Sequence, residues 1–230
     1  MSAREGGAPL VIFDIDGTLT QTMHIDEACY EDAVRREWGI TGISTDWGAY
    51  EHSTDNAIAS EIFRTHRGRD VTHAELAALR ERFAGLIYAG SDSEFVAVPG
   101  AAELLAALPA LGWRVAIATG GWTLTAQHKL ERAGIPWRGI PAAFACDARP
   151  REEIIRIAAT RAGVSTLERV IYIGDGVWDA RACRRLGIPF VGVGEGPKAE
   201  RLRAEGATQV LADYRDRERV VDALRHAEVP

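Results

Sequence analysis

The sequence predicts an α/β protein, a doubly wound and Rossmann-like parallel sheet with an inserted α-helical cap domain. Two observations predict the sheet: short apolar runs that end in glycine or acidic residues recur along the chain, and helical patterns lie between them. A third observation predicts the insert. About eighty residues without a strand signal follow the first apolar run, and they contain helical patterns instead.

Six apolar runs have the features of strands that are buried on both faces. Each run is short, apolar and bounded by turn residues, which is typical of a parallel sheet. In chain order the runs are LVIFD, WRVAIATGG, AAFACD, VIYIGDG, PFVGVGEG and QVLAD. Because strands that alternate with helices form parallel sheets with helices on both faces, these runs predict the core of one α/β domain.

Four helical patterns lie between the strands of the predicted core. AAELLAALPALG follows the turn residues Pro99 and Gly100, and the patterns WTLTAQHKLERAG, REEIIRIAATRAG and DARACRRLG end at Gly134, Gly163 and Gly187. Glycine commonly ends a helix because it adopts the left-handed backbone conformation at little cost. The charged segment DYRDRERVVDALRHAE predicts a solvated helix at the C-terminus.

The insert is predicted to occupy residues 21–95 and to divide the core into residues 1–20 and 96–230. Its helical patterns are HIDEACYEDAVRREWG, TDNAIASEIFRTHRG and THAELAALRERFAGLIYAG. The third pattern begins with Thr72 and Glu75 at the spacing of a capping box. The segment SDSEFVAVPG is the predicted linker that returns the chain to the core.

Polar residues follow the predicted strands at the edge where a parallel sheet binds its ligands, beyond the carboxyl ends of the strands. These residues are Asp14, Asp16, Gly17 and Thr18 after the first strand, Thr119, Gly120 and Gly121 after the second, Asp147 and Arg149 after the third, and Gly174, Asp175, Gly176 and Asp179 after the fourth. Since neighbouring strands lie about 4.8 Å apart, we expect acids, a hydroxyl group and a cation to converge there.

The residue types at this edge suit phosphoryl transfer. Several carboxylates without histidine or cysteine form a hard oxygen site, which favours Mg²⁺. A carboxylate is also an available nucleophile for phosphorus and can form an aspartyl-phosphate. A metal ion and Arg149 would offset the repulsion between that carboxylate and the phosphate, and Thr119 could bind a phosphate oxygen. Asp16 is spaced to protonate the leaving group and then to accept a proton from water.

The segments DIDGTLT, IATGG, ARP and GDGVWDA resemble, in this order, the four motifs of the haloacid dehalogenase-like hydrolase superfamily. The resemblance covers the whole chain, and the insert lies where the family carries a helical cap. It implies Asp14 as nucleophile and Mg²⁺ ligand, and Asp16 as the general acid and base that also binds the metal through its carbonyl group. The other implied roles are phosphoryl binding by Thr119 and Gly120, a cationic contact from Arg149, metal binding by Asp175, and support of the metal shell by Asp179.

The resemblance also implies a strand order of 3-2-1-4-5 and a position within the superfamily. Asp16 favours the phosphatase branch, which includes phosphoglycolate phosphatase, because dehalogenase members lack an acid two residues after the nucleophile. Phosphonatase members use a cap lysine, whereas residues 21–95 contain no lysine. The third motif is more often lysine than arginine in this family. Arg151 is therefore a close alternative to Arg149, and Lys129 a more distant one.

Two tryptophans follow predicted active-site turns. Trp122 and Trp178 are interpreted first as packing residues between helix and sheet, and the alternative is that one of them forms a wall of the pocket under the cap. In the insert, Trp47 and several charged or histidine side chains could contact the leaving group, and none of them is assigned a role.

Composition limits the other classes of function. The chain has 230 residues, 26% of them charged, and a formal net charge of −6, so its total charge offers no case for nucleic acid as a partner. The three cysteines show no C-x-x-C spacing, and no apolar run approaches the length of a membrane span. We expect a cytoplasmic protein whose partner is a small phosphate ester; the oligomeric state is not specified.

The function predicted from these features is Mg²⁺-dependent removal of phosphate from a small phosphate monoester through an aspartyl-phosphate on Asp14. Two alternatives stay open at this point: a phosphomutase on the same core, and a non-catalytic binding or regulatory protein that keeps the fold. Phosphoglycolate, a nucleotide, a sugar phosphate and pyrophosphate all fit as substrates, since a fold does not specify its substrate.

Overall fold

A computed structural model describes residues 8–230. The six strands form one parallel sheet in the order β3-β2-β1-β4-β5-β6. They are β1 (Leu10–Phe13), β2 (Arg114–Ala118), β3 (Ala142–Ala143), β4 (Val170–Gly174), β5 (Phe190–Val193) and β6 (Gln209–Leu211). The predicted α/β class and the implied strand order are therefore confirmed, with β6 added at the edge of the sheet.

Helices cover both faces of this sheet. Those of the core are α4 (Ala101–Ala107), α5 (Thr123–Arg132), α6 (Arg151–Arg161), α7 (Val177–Leu186), α8 (Gly196–Ala204) and α9 (Arg217–Arg225). Successive residues of β1 point to opposite faces: Val11 and Phe13 pack in one apolar cluster, and Leu10 and Ile12 pack in the other. Burial on both faces explains why β1 is apolar throughout.

The segment between β1 and β2 is helical, as the pattern predicted. It contains α1 (Met23–Trp38), α2 (Asp55–Arg67) and α3 (His73–Tyr88), with short 3₁₀ turns at Trp47–Ala49 and Asp92–Glu94. These helices share an apolar cluster of their own, in which Tyr30 packs edge-on against Phe83. The capping box of Thr72 and Glu75 is present at the start of α3. Treating residues 21–95 as a separate cap domain stays a prediction.

The register of the central strands brings the predicted site residues together. Phe13, the last residue of β1, pairs with Ile117 of β2 on one side and with Ile173 of β4 on the other. The N–H group of Asp14 continues this ladder by donating to the carbonyl oxygen of Ile173 at 2.9 Å. The residues that follow β1, β2 and β4 therefore lie side by side at one edge of the sheet.

Within residues 8–230, no helix is both long enough and apolar enough to cross a membrane.

Candidate active site

The loop after β1 turns tightly and carries two buried acids. The carbonyl oxygen of Ile15 accepts hydrogen bonds from the N–H groups of Leu19 and Thr20, which closes the loop over Asp14 and Asp16. Gly17 has a φ of +73°, and a Cβ atom there would lie 2.0 Å from a carboxylate oxygen of Asp175. Only glycine permits both the backbone conformation and the close approach of the two loops.

Three buried carboxylates converge beyond the carboxyl ends of β1 and β4. Asp14, Asp175 and Asp179 each offer one oxygen atom, and the three oxygens lie within 4.8 Å of one another. Burial raises the pKa of Asp14 against the opposing effect of Arg151. Burial also raises the pKa of Asp175 to about 6 and that of Asp179 to about 8. Since such a cluster is costly without counter-charge, it is suited to a bound cation.

Arg151 lies beside this cluster. It is the first residue of α6, and its Nη1 atom lies 2.9 Å from Asp179 Oδ1 and 3.4 Å from Asp14 Oδ2. Its Nη2 atom donates to the carbonyl oxygen of Ser53 at 2.8 Å. Gly120 leaves room for this guanidinium, because a Cβ atom there would lie 2.5 Å from Nη2. Arg151 thus brings a positive charge to the acids and contacts the insert at the same time.

Arg149, named from the sequence as the cation, lies elsewhere. Its side chain is exposed, and its carbonyl oxygen accepts from the Thr54 hydroxyl at 2.7 Å. Pro150 precedes α6 as its N-cap residue, so the helix begins at Arg151 and turns that side chain inward. The structure therefore places the alternative, Arg151, in the position that the prediction gave to Arg149. Asp147 is also directed away and pairs with Arg161 at 2.6 Å.

Both lysines of the chain pair with acids of the site. Lys198, near the start of α8, donates to Asp175. Lys129 of α5 is fully buried and lies 2.6 Å from Asp16 Oδ2 and 2.6 Å from Asp26 Oδ1. Asp16 also accepts from the Thr22 hydroxyl through Oδ1 at 2.5 Å. Asp16 is thus fixed through both oxygens, and Lys129 connects it to helix α1 of the insert.

The donor atoms of the acidic cluster fit a divalent cation. Asp14 Oδ1 and Asp175 Oδ1 are buried and accept no hydrogen bond from the described part of the chain. Carboxylate oxygens are the ligands that Mg²⁺ and Ca²⁺ prefer, and nitrogen and sulfur ligands are missing from the cluster. Two carboxylate oxygens left without donors at the edge of a three-acid cluster are therefore available to a metal ion.

A cavity connects the cluster with the insert. It has a volume of about 50 Å³, which exceeds the space that one water molecule needs. On the core side Asp14, Asp16, Thr119, Gly120 and Arg151 line it. Thr119 follows β2 and is buried, and its N–H group donates to the Ala143 carbonyl oxygen at 3.1 Å. Of the residues that were assigned a catalytic, phosphoryl-binding or metal-binding role, all but Arg149 thus lie at this cavity or in the acidic cluster beside it.

Comparison with known proteins identifies the family. The family model described as haloacid dehalogenase-like hydrolase matches residues 8–187. The chain belongs to the haloacid dehalogenase-like hydrolases.

Similar proteins include phosphatases. The chain is 27% identical to a phosphoglycolate phosphatase of Agrobacterium fabrum over 194 residues, which cover 81% of this chain and 80% of that protein. It is 26% identical to a phosphoserine phosphatase of Albidiferax ferrireducens over 201 residues, with coverage of 78% and 76%. A hydrolase from Pseudomonas syringae has a similar structure, with a TM-score of 0.75, 25% identity and coverage of 93% of this chain and 98% of that one.

These matches confirm the predicted superfamily and the prediction of an enzyme of the phosphatase type. Hydrolases of this family generally use a divalent metal ion, which agrees with the acidic cluster of this member. The choice of Mg²⁺ and the role of each residue stay predictions.

The insert of this haloacid dehalogenase-like hydrolase contributes residues to the cavity that sequence reasoning did not assign. They are Met23, Asp26, Tyr30, Trp47, Ser53, Asp55 and Ile58. Asp26 and Asp55 lie in the first turns of α1 and α2, where acids are common because they interact favourably with the helix dipole. Their sequence positions therefore gave no sign of a role in a site.

The two tryptophans have different positions. Trp178 lines the cavity, in agreement with the alternative interpretation for one of the pair. Trp122 packs between Tyr30 and Phe83, and its indole N–H donates to Asn56 at 2.7 Å, which is the packing role.

The acidic cluster predicts an unusual dependence of stability on pH in the metal-free enzyme. Burial is the largest cause of a raised pKa at Asp14, Asp26, Asp55, Asp175 and Asp179. An acid whose pKa is higher in the folded chain binds more protons when folded, so the free energy of unfolding falls as pH rises. The pH range over which stability is lost runs from the pKa of the unfolded acids, near 4, to the folded pKa of Asp179, about 8.

In chelator, we expect the free energy of unfolding from urea denaturation to fall by at least about 1 kcal/mol between pH 5 and pH 8. The pKa of His128 is lowered, mainly by burial. This one group therefore has the opposite effect, because it makes the free energy of unfolding rise with pH. Asp179→Asn should flatten the curve, and added Mg²⁺ should stabilise the wild-type enzyme most at pH 8. A free energy that rises steadily over this range would contradict the arrangement of the cluster.

Proposed function

We propose that this enzyme hydrolyses a small phosphate monoester with Mg²⁺ bound, through an aspartyl-phosphate on Asp14. The observation that carries this proposal is the convergence of Asp14, Asp175 and Asp179 with Arg151 at one end of the cavity. A nucleophile, a metal site and a fixed cation within reach of one phosphoryl group are what this reaction requires.

Asp14 and Asp16 would carry the chemistry. A carboxylate oxygen of Asp14 attacks phosphorus, the bond from phosphorus to the leaving oxygen breaks, and Asp16 donates a proton to that oxygen to release an alcohol. Asp16 then accepts a proton from water, which attacks the aspartyl-phosphate and releases inorganic phosphate. Proton transfer of this kind contributes about 10²- to 10⁴-fold to the rate.

The other residues of the site would bind the phosphoryl group. The Thr119 hydroxyl and the backbone at Gly120 face the cavity, and Arg151 offers positive charge between Asp14 and the insert. A Mg²⁺ ion held by Asp14, Asp175, Asp179 and the carbonyl group of Asp16 would offset the negative charge of nucleophile and phosphate. Because these groups are held in position before the reaction, less free energy is needed to bring the charges together.

The insert, residues 21–95, would act as a cap over the core formed by residues 1–20 and 96–230. It already contacts the catalytic loops, because the Asp55 N–H group donates to the Gly120 carbonyl oxygen at 2.8 Å. Closure of such a cap excludes water during phosphoryl transfer and selects the substrate.

The proposal is tested with a panel of phosphate monoesters and the purified full-length enzyme. We expect release of inorganic phosphate with Mg²⁺, loss of that activity in chelator, and recovery when Mg²⁺ is restored. Conversion of a sugar phosphate to its isomer without phosphate release would indicate a phosphomutase instead. Bound metal without turnover of any ester, p-nitrophenyl phosphate included, would contradict the proposal and favour a binding protein.

A further inference from the structure

The position of Asp16 indicates which side of the cavity holds the leaving group. Asp16 has to approach the oxygen that it protonates, and its carboxylate is directed toward Thr22 and Lys129. Lys129 in turn contacts Asp26 of α1. If Asp16 protonates the leaving group as proposed, that group would lie beneath the insert, against the residues that α1, α2 and the loop before α2 contribute to the cavity.

This half of the cavity is acidic. Asp26 and Asp55 are its two charged residues from the insert, and among the lining residues found in the described chain the one basic side chain is Arg151. Arg151 is already paired with Asp14 and Asp179. Lys129 is paired with Asp16 and Asp26 and does not line the cavity. A second anionic group on the substrate would meet acids here without a free cation to bind it.

Asp55 is the acid that lacks a counter-charge. It is 8% exposed, and its Oδ2 atom accepts from the Trp122 N–H group at 2.8 Å. No ion pair to Asp55 occurs within residues 8–230, whereas Asp26 lies 2.6 Å from Lys129. Burial and the neighbouring Asp26 raise the pKa of Asp55 well above its usual value, against the opposing effect of Lys129. A cation bound beside Asp55 would supply the ion-pair partner that this carboxylate lacks.

Aromatic rings complete this part of the wall. Tyr30 and Trp47 pack edge-on with ring centroids 5.6 Å apart, and Trp178 lines the cavity from the core side. The Tyr30 hydroxyl donates to the backbone oxygen of Asp55 at 2.9 Å. Aromatic side chains beside a carboxylate are compatible with a bound ammonium group.

We propose that the leaving group of the substrate carries an ammonium group, so that the substrate class is the phosphate monoesters of small amino alcohols, and that Asp55 is the residue that selects it. This inference rests on the proposed phosphatase function. The cavity volume of about 50 Å³ fits a leaving group of a few atoms.

Three phosphate esters of similar size test the inference, because they differ in the charge at one end. They are 2-aminoethyl phosphate, 2-hydroxyethyl phosphate and phosphoglycolate, with an ammonium, a hydroxyl and a carboxylate group respectively. For the wild-type enzyme with Mg²⁺, we expect kcat/KM for the ammonium ester to exceed that for the hydroxyl ester about tenfold and that for phosphoglycolate about a hundredfold. The generic substrate p-nitrophenyl phosphate is measured beside them.

Asp55→Asn tests the assigned residue, because asparagine keeps an oxygen that can accept from the Trp122 N–H group while losing the charge. The ratio of kcat/KM between the ammonium and hydroxyl esters, taken within the variant, should fall close to one. Asp70→Asn is the matched control, since Asp70 is an exposed acid of the insert that pairs with Arg64, and it should leave the ratio unchanged. Melting temperatures show whether each variant is folded.

The outcomes separate the inference from the proposed function. A preference for phosphoglycolate, or equal rates for the three esters, would overturn the inference but leave the proposed phosphatase function intact. Hydrolysis of p-nitrophenyl phosphate without hydrolysis of any of the three esters would have the same consequence. An anion preference would point to the larger neighbouring cavity of about 490 Å³, which Lys198 and Arg201 line. An unchanged ratio in folded Asp55→Asn would overturn the role of Asp55. No turnover of any ester would remove both proposals.

Discussion

Replacing Asp14 with asparagine should abolish turnover, with a loss in kcat of at least about 10⁴-fold. The amide is a poor nucleophile and a poorer metal ligand, while its size and position match those of the carboxylate. The measurement is release of inorganic phosphate with Mg²⁺, in steady state and in a single turnover. The loss should affect kcat on every ester that the wild-type enzyme hydrolyses.

The folded state provides the control for this variant. Asp14 is buried among other acids, and burial raises its pKa, so removal of its charge should leave the melting temperature in chelator unchanged or higher. A folded Asp14→Asn enzyme with wild-type kcat would contradict the assignment of the nucleophile.

Replacing Arg151 with methionine should have the second large effect, on both activity and stability. Methionine fills much of the same volume but leaves Asp14 and Asp179 without their buried partner. We expect kcat to fall by at least about 10²-fold, and the free energy of unfolding in chelator to fall by about 3 kcal/mol. Activity assays and urea denaturation measure the two effects.

Arg149→Met is the matched control, because it makes the same chemical change two residues away. The Arg149 side chain is exposed, and the bond to Thr54 uses its backbone oxygen, which the substitution retains. Stability should stay within about 0.5 kcal/mol of the wild type and kcat should stay nearly constant. The reverse result, with Arg149→Met inactive and Arg151→Met normal, would return the cationic role to Arg149.

The choice between these two arginines could not be made from the sequence. The pattern AAFACD predicted a strand that ends near Asp147, but β3 has two residues, and a turn from Phe144 to Asp147 follows it. The residue that faces the site is therefore set by the start of α6, not by the end of β3. Helix boundaries depend on local capping, which a pattern of apolar residues locates poorly.

The acids after β1 and β4 were predictable for the opposite reason. Both strands are apolar, buried on both faces and followed at once by glycine-containing turns, so the positions of Asp14 and Asp175 follow directly from the strand ends. Sheet register then brings the two tips together. Strong periodicity and short turns leave little freedom at these positions.

The position of Lys129 in the sequence predicts a buried acidic partner. In α5 it lies three residues after Ala126 and directly before Leu130, on the buried side of the helix. A lysine on an apolar face requires a buried acid as its partner, because an unpaired buried charge is very costly. The partners, Asp16 and Asp26, come from separate segments, and only the folded chain shows that they meet at this ammonium group.

Trapping of the covalent intermediate tests the central claim most directly. Asp16→Asn removes the proposed acceptor of a proton from the attacking water, so phospho-enzyme should accumulate after mixing with substrate and Mg²⁺. Borohydride reduction of the acid-quenched protein converts an aspartyl-phosphate to homoserine, which mass spectrometry locates in the sequence. The account predicts homoserine in place of Asp14 and nowhere else; phosphate on another residue, or an Asp16→Asn enzyme that turns over like the wild type without any intermediate, would contradict it.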